Sequence, residues 1–344
     1  MTLALAIRTG DLSQLPSRRD EDWRWSDLRG LIRSVPAASP AWQGSLSPGP
    51  FAALDAEEVT IINGRGPEHI IVSPGDTRVV ALRIVAAANS GSHVSRIIID
   101  VGAGAQLTLF ETYETLAPDY VVETDLDFTV AQGATVERVL AAADADLGVS
   151  VSLAQVAMGA GASFGQTVLT TGARRQRIET RIHHPGAGAR VRLDGLYHLI
   201  DRRHADITTA VTHAGVEGAT DQLTKGVVDG QARGVFQGLI LVRPGADRTD
   251  ARMGHHALVL SDTAEVDAKP ELEIFADDVA CAHGATVGAL DQEAIFYARQ
   301  RGLSEAEAKA LLTQAFLDQV VDRIEHEGAR GIARAWVATR LAPR

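Results

Sequence analysis

Cys281 and His283 are the residues whose types and spacing first suggest chemistry. The stretch Val279–Gly288, VACAHGATVG, holds the single cysteine of the 344-residue chain, with a histidine two positions on and glycines after it. In an extended strand residues i and i+2 share a face, so thiol and imidazole would stand side by side. A soft sulfur and a borderline nitrogen suit zinc, copper or iron. Two ligands do not close a tetrahedral site, and a metal cluster usually takes four. Any metal held here takes its remaining ligands from elsewhere, most simply from another chain. The residues alone equally allow a buried, inert thiol beside an ordinary histidine.

Other candidates carry less. Asp277 and Asp278 suggest paired carboxylates, but neighbours on a strand point to opposite faces and cannot both flank one bond. The pairs His183-His184 and His255-His256 split in the same way and lack the spacing of a metal site. No phosphate-binding loop is present, since TKGVVDGQARG lacks the required glycines and the terminal Lys-Ser/Thr. No self-sufficient catalytic apparatus is visible.

Three textures of sequence would position these residues. Residues 1–55 form an N-terminal helical region and linker: PSRRDEDWRWSDLRGLI, with Asp20 or Ser26 as a helix cap and Arg18 to Asp22 as a solvated face, then the Pro/Ser/Gly-rich PAASPAWQGSLSPGP. Residues 56–290 are strand text, with short alternating or wholly apolar runs such as RIIIDV, LDFTV, RVRLDGLYHL and GVFQGLILV bounded by Gly, Asp, Asn or Pro. No helical stretch interrupts them, which argues against a βαβ design. Gly-Ala steps at Gly104, Gly133, Gly161, Gly188, Gly218 and Gly245 recur every 27 to 30 residues. In a β-solenoid each turn brings the chain back to one corner that needs a φ-permissive residue, so a parallel β-helix is expected, with a β-sandwich as the rival.

Residues 291–344 turn helical. Asp291 caps a helix ended by Gly302, and Ser304-x-x-Glu307 is a capping box. Ala308, Leu311, Leu312, Ala315, Phe316, Gln319, Val320, Arg323 and Ile324 share one face, and a last helix over about 329–341 carries Trp336. Such an appendage could close the solenoid end or receive a partner.

Composition narrows the class. The chain has 33 basic and 44 acidic residues, net −11, which disfavours nucleic acid or an anionic membrane as the main partner. No apolar run approaches the ~18 residues of a membrane span. One cysteine, with no secretory leader in MTLALAIR, fits a reducing cytoplasm.

DQLTKGVVDGQARGVFQGLILV (221–242), KPELEIFADDVACAHGATVGALD (269–291), IFYARQRGLSEAEAKALL (295–312) and the opening DEDWRWSDL (20–28) together resemble the SufB/SufD family of iron–sulfur cluster assembly proteins, and within it the SufD branch. Gly284 carries the distinction, because the SufB branch has Glu after the motif histidine. ARMGHHALVL (251–260) departs from the Gln/Asn-rich run usual there. The resemblance implies an all-β core, a right-handed parallel β-helix flanked by N- and C-terminal helical regions. It implies a non-catalytic scaffold that pairs with a SufB-like subunit and binds a SufC-like ABC ATPase, which hydrolyses the ATP. It implies no cofactor held alone, but a transient iron–sulfur cluster at the interface with SufB, with His283 among its ligands and Cys281 in the adjacent motif position. Phe296, Tyr297 and Arg301 are the expected ATPase anchors, being residue types enriched at interface hot spots. A homodimer is possible where SufB is absent. An autonomous carbohydrate-active β-helix enzyme is the alternative, and it would need clustered carboxylates in a groove.

Overall fold

Strands of eight to eleven residues, separated by short turns, follow one another from Thr77 to Gly288. In the computed structural model, which describes residues 2–341, they alternate between two sheets, one strand per visit, and each sheet collects nine strands. The ladders are parallel: Thr77 lies beside Gln106, Gln106 beside Thr135, Ser163 beside Arg190 and Ala219 beside Asp250. Parallel neighbours need a long crossover, usually a helix. Here the strand laid down in the opposite sheet is the crossover, so the expected parallel β-helix, or solenoid, is the observed architecture.

Period-2 alternation fills the interior. Leu82, Leu109, Ile99, Leu126, Phe128, Phe164 and Leu193 point inward and form one continuous apolar core. Two inward positions are charged. Arg138 makes a two-pronged pair with Glu111 at 2.7 and 2.8 Å and donates to Gln166 at 2.7 Å, with both charged side chains sealed from solvent. Removing one partner of such a pair typically costs about 3–5 kcal/mol, because the other charge is left buried alone.

One corner of the solenoid is a stack of left-handed residues. Gly104, Gly133, Gly161 and Gly188 have φ between 64° and 70°. Each donates its N–H to a carbonyl one turn later, for example Gly133 to Ala160 at 3.0 Å. The Gly-Ala repeat therefore has a physical basis up to Gly188 and then slips. The next two corner positions are Glu217 (φ 59°) and Arg248 (φ 59°), which donate to Asp247 and Asp278. Gly218 is not a corner residue, whereas the turn before Thr249 holds two left-handed residues, Gly245 (φ 82°) and Arg248.

The N-terminal segment departs further from expectation. Helix α1 spans Leu3–Thr9, but DEDWRWSDL makes only a 3-10 turn at Glu21–Trp23. Asp20 accepts from the Ser17 N–H and gives no side-chain cap to that turn, and Ser26 caps nothing. Ser26 is buried and donates to Asp206 at 2.5 Å, a carboxylate that also accepts from Arg177 at 2.8 Å and Gln237 at 3.1 Å. Trp23 lies 4.5 Å from the Arg177 guanidinium, whose Nη1 donates to the Asp22 carbonyl. Tertiary docking onto the first sheet, not local helix propensity, uses these residues.

Helices α2 (Gln292–Gln300), α3 (Glu305–Val321) and α4 (Glu327–Leu341) follow the strands. Asp291 caps α2, and Ser304 and Glu307 close the capping box of α3. α3 and α4 do not plug the solenoid end. They lie on the outer flank of the second sheet, against Phe110, Val139, Leu169, Leu196 and Val227. The buried stripe of α3 is Ala308, Thr313, Leu317, Val320 and Val321, while Leu311, Ala315 and Gln319 face outward. The expected stripe is thus rotated by part of a turn, because Lys225 and Arg323 bind polar groups at that interface. Lys225 donates to Gln319 at 2.7 Å, and Arg323 reaches Asp194 and Asp221. Among the described residues no helix is long and apolar enough to cross a membrane.

α1 is held by an unusual acceptor. The Ala4 N–H donates to Glu123 at 2.6 Å on the outer face of the first sheet. Burial, reinforced by Asp125, raises the Glu123 carboxyl to about 8, against the opposing pull of the Ala4 N–H and Arg8. A carboxyl raised in the folded state contributes stability that is complete below its unfolded value of about 4.5 and is lost as pH rises through about 8. Denaturant midpoints at pH 5, 7 and 9 should fall across this window, and Glu123→Gln should flatten that fall; equal slopes in the two proteins would refute it.

Candidate functional site: the uncovered last turn

A stack in which each turn buries the one before must leave its final turn bare unless something caps it. At the beginning of the solenoid the inward residues Ile61, Ile70 and Val72 are 3%, 2% and 1% exposed. At its end Val287 and Ile274 are 53% and 39% exposed. The last strands, Glu265–Ile274 and Val279–Gly288, each bond to a neighbour on one side only. This end therefore presents two free strand edges and an apolar cross-section, with Phe275 projecting from the turn between them.

Cys281 and His283 lie on that bare rung. Register sets Cys281 beside Ala251, His283 beside Met253 and Ala285 beside His255, all inward positions. The same-face expectation thus has its geometric basis, at about 7 Å along the strand. Their surroundings differ. Cys281 is half-buried against the cluster of Phe236, Ala251 and Met253. Burial, and secondarily the Asp250 carboxylate, push its thiol above the ordinary range, opposed by a backbone hydrogen bond from Ala251. His283 is exposed. At the next residue, Gly284, a Cβ would meet no atom within 4 Å, so an approaching group finds the backbone open.

The inward histidines of the stack are accounted for by packing. Alternation splits both pairs as expected: His184 and His255 are buried, whereas His183 and His256 face outward. His184 Nε2 contacts His213 Nδ1 at 2.6 Å, and His213 Nε2 contacts Thr220 at 2.9 Å. His255 bonds Tyr197 at 3.0 Å and stacks on Phe236 at 4.8 Å. Tyr197 fits there because Gly226 and Gly234 lack the Cβ atoms that would collide with its ring. Burial holds His184 and His255 near about 4 and His213 near about 3, so all three remain neutral and structural. The divergent ARMGHHALVL segment is the penultimate strand, and its Met253 and His255 are interior packing residues.

Asp277 and Asp278 sit exposed in the turn between the two last strands. A groove of about 640 Å³ on the flank of the second sheet is lined by Glu217, Asp221 and Asp250. Each is bound to an arginine, Arg248, Arg323 and Arg252 respectively, at 2.8 to 3.2 Å. Carboxylates so engaged offer no acid–base couple for glycoside chemistry. Among the described residues no three His, Cys, Asp or Glu side chains converge as a metal site.

A second exposed patch lies on the C-terminal helices. Phe296 and Tyr297 are 64% and 61% exposed on α2, Leu311 of α3 is 52% exposed, and Ile295 turns inward. Arg301 donates to the Tyr297 hydroxyl at 2.8 Å and lies 5.2 Å from its ring, which fixes both side chains at the surface.

A family profile described as "SUF system FeS cluster assembly, SufBD core domain" matches residues 83–316, which take in most of the solenoid, the bare rung and most of α3. The chain belongs to the SufBD family of iron–sulfur cluster assembly proteins. It is 29% identical to the iron–sulfur cluster assembly protein SufD of Escherichia coli K12, over 97% of this chain and 90% of that one. It is 29% identical to the SufBD family protein slr0076 of Synechocystis, over 71% of this chain and 56% of that one. It is 27% identical to the SufBD family protein ML0594 of Mycobacterium leprae, over 91% and 87%.

What sequence reasoning missed was the nature of the surface around the motif. Ile274, Phe275 and Val287 looked like ordinary strand residues; the only hint was that no further strand follows Gly288 to cover them. Because Cys281 is the sole thiol of this SufBD chain, alkylation reports it directly. Its rate with iodoacetamide at pH 8 should be at least about fivefold below that of a free model thiol and should climb only above the usual thiol range. A rate equal to the model thiol would contradict the buried environment.

Proposed function

We propose that this chain is a scaffold subunit of a Suf-type assembly complex, joined through its bare solenoid end to a SufB-like subunit. There it contributes His283 to a nascent iron–sulfur cluster. The observation that carries this is the position of His283: an accessible imidazole on an inward rung left unburied, beside a thiol and between two unpaired strand edges. Free edges are templates for pairing with another chain, and covering them satisfies backbone groups as well as apolar surface. The cluster is cargo, and its remaining ligands come from the partner across the joint. His283 offers a nitrogen donor without reorganisation. Cys281 must first lose a proton that its surroundings retain, so it is the secondary donor, deprotonated by an arriving metal. Nothing visible in this chain binds nucleotide phosphates, and the ATP chemistry belongs to a SufC-like partner.

Phe296, Tyr297 and Arg301 are the proposed docking residues for that ATPase: two aromatic rings and a guanidinium held outward on α2. Their position on the flank leaves the bare end free for the other partner.

Cluster formation followed by visible absorbance in the reconstituted complex should drop by about tenfold or more with His283→Ala and only several-fold with Cys281→Ala. Cluster yield unchanged by His283→Ala would remove its role. For the ATPase, cutting the chain after Leu290 is a poor test, since it would strip α3 and α4 from Phe110 and Val227 and expose that core. The double variant Phe296→Ala/Tyr297→Ala keeps the fold and should weaken co-purification of the ATPase by at least about tenfold, roughly 1.4 kcal/mol or more; undiminished capture would place the docking surface elsewhere.

A further inference from the structure

The bare end is strongly acidic, and that bears on which solenoid it can join. Between Glu265 and Gly288 there are six carboxylates, Glu265, Asp267, Glu271, Glu273, Asp277 and Asp278, against one basic residue, Lys269. Part of this charge is compensated. Arg233 bridges Glu265 at 3.3 Å and Asp267 at 2.7 Å, and Lys269 is shared by Glu271 and Glu21. Glu273, Asp277 and Asp278 are exposed and have no cationic partner among the described residues. They flank Ile274 and Phe275, the apolar residues that project from the same turn.

Two copies joined end to end with these turns opposed would bring these carboxylates within a Debye length of each other, about 8–10 Å at ordinary salt. Like charges opposed across a closing interface cost several kcal/mol and suppress the wrong partner. The apolar rung and the free edges favour joining; the charges select with whom. Given the reading that the bare end is the joining surface, we propose that Glu273, Asp277 and Asp278 make it a discriminating one. It disfavours a second copy of this chain and accepts a solenoid end whose matching turn is basic.

A charge-reversed copy of the chain itself, Glu273→Lys/Asp277→Lys/Asp278→Lys, supplies a defined basic partner. All three positions are exposed, so the variant should fold, which circular dichroism would check. Sedimentation equilibrium of wild type, of the variant and of their equimolar mixture at about 50 and 500 mM NaCl is the experiment. The mixed pair should be at least about tenfold tighter than either self-pair at low salt, and that advantage should shrink at high salt while wild-type self-association does not fall. A mixture that pairs no more tightly than the separate proteins would overturn the proposal. Adding Val287→Arg to both chains tests the underlying reading separately. If the mixed pair survives that change undiminished, the charges act away from the bare rung and the rung is not the joint. If mixed and self-pairs are equally tight and both are abolished by it, the rung is the joint and the charges do not select.

Discussion

Everything in this molecule follows from stacking parallel strands with no closure. Each turn buries the inward residues of its predecessor and satisfies its backbone groups. The design is stable in proportion to its length and incomplete at its final rung. A barrel abolishes its edges by closing, and many solenoids end in a polar capping turn. Here the beginning is sealed, with Ile61, Ile70 and Val72 buried, and the end is not. The helices that could have sealed it lie instead along the flank, clamped by Arg323 to Asp194 and Asp221. An inward-facing rung left open is the only place in such a fold where interior positions, already aligned by the ladder, can meet something other than the next turn.

That placement explains why His283 differs from the other histidines at inward positions. His184, His213 and His255 occupy inward positions deeper in the stack, where burial keeps them neutral and their nitrogens serve Thr220, Tyr197 and one another. His283 occupies an equivalent inward position one turn beyond His255's strand and is exposed, since no turn follows. The same geometric slot yields a packing residue in the middle of the solenoid and an exposed imidazole at its end. Cys281 falls between these cases, half-covered by Ala251 and Met253, and its thiol is correspondingly reluctant to ionise.

The sequence was most legible where local rules act and least where tertiary contacts decide. Period-2 alternation and glycines at a left-handed corner are short-range requirements, so the solenoid could be read from runs such as RIIIDV and from Gly104 to Gly188. The same logic misled at Gly218, because Glu217 takes the strained corner position and pairs with Arg248 across the turn at 2.8 Å. Ser26 and Trp23 resembled helix-forming text, yet their conformation is set by Asp206 and Arg177, some 150 to 180 residues away in sequence. Of the candidate site, the Cys281–His283 adjacency followed from strand spacing alone. The bareness of the rung did not, for it depends on where the C-terminal helices pack, and the amphipathicity of α3 is compatible with either placement.

The two surfaces assigned to partners are mechanically linked. α2 carries the exposed aromatic pair on one face and buries Ile295 with Leu290, Leu258 and Ala308 on the other. Leu290 is two residues beyond the last strand, and Leu258 lies on the penultimate one. α3 is in turn fixed to the flank by Lys225, which donates to Gln319 and sits 4.0 Å from the Phe316 ring. Ile295 packs on Leu290, and residues 289–291 join α2 to the strand bearing Cys281 and His283. That strand, like Glu57–Ile62 at the opposite edge of its sheet, is bonded on one side only, so fewer contacts hold it than hold the inner strands. The arrangement is a stack of paired turns behind, two strands with free edges at the end, and a short helix attached directly to one of them.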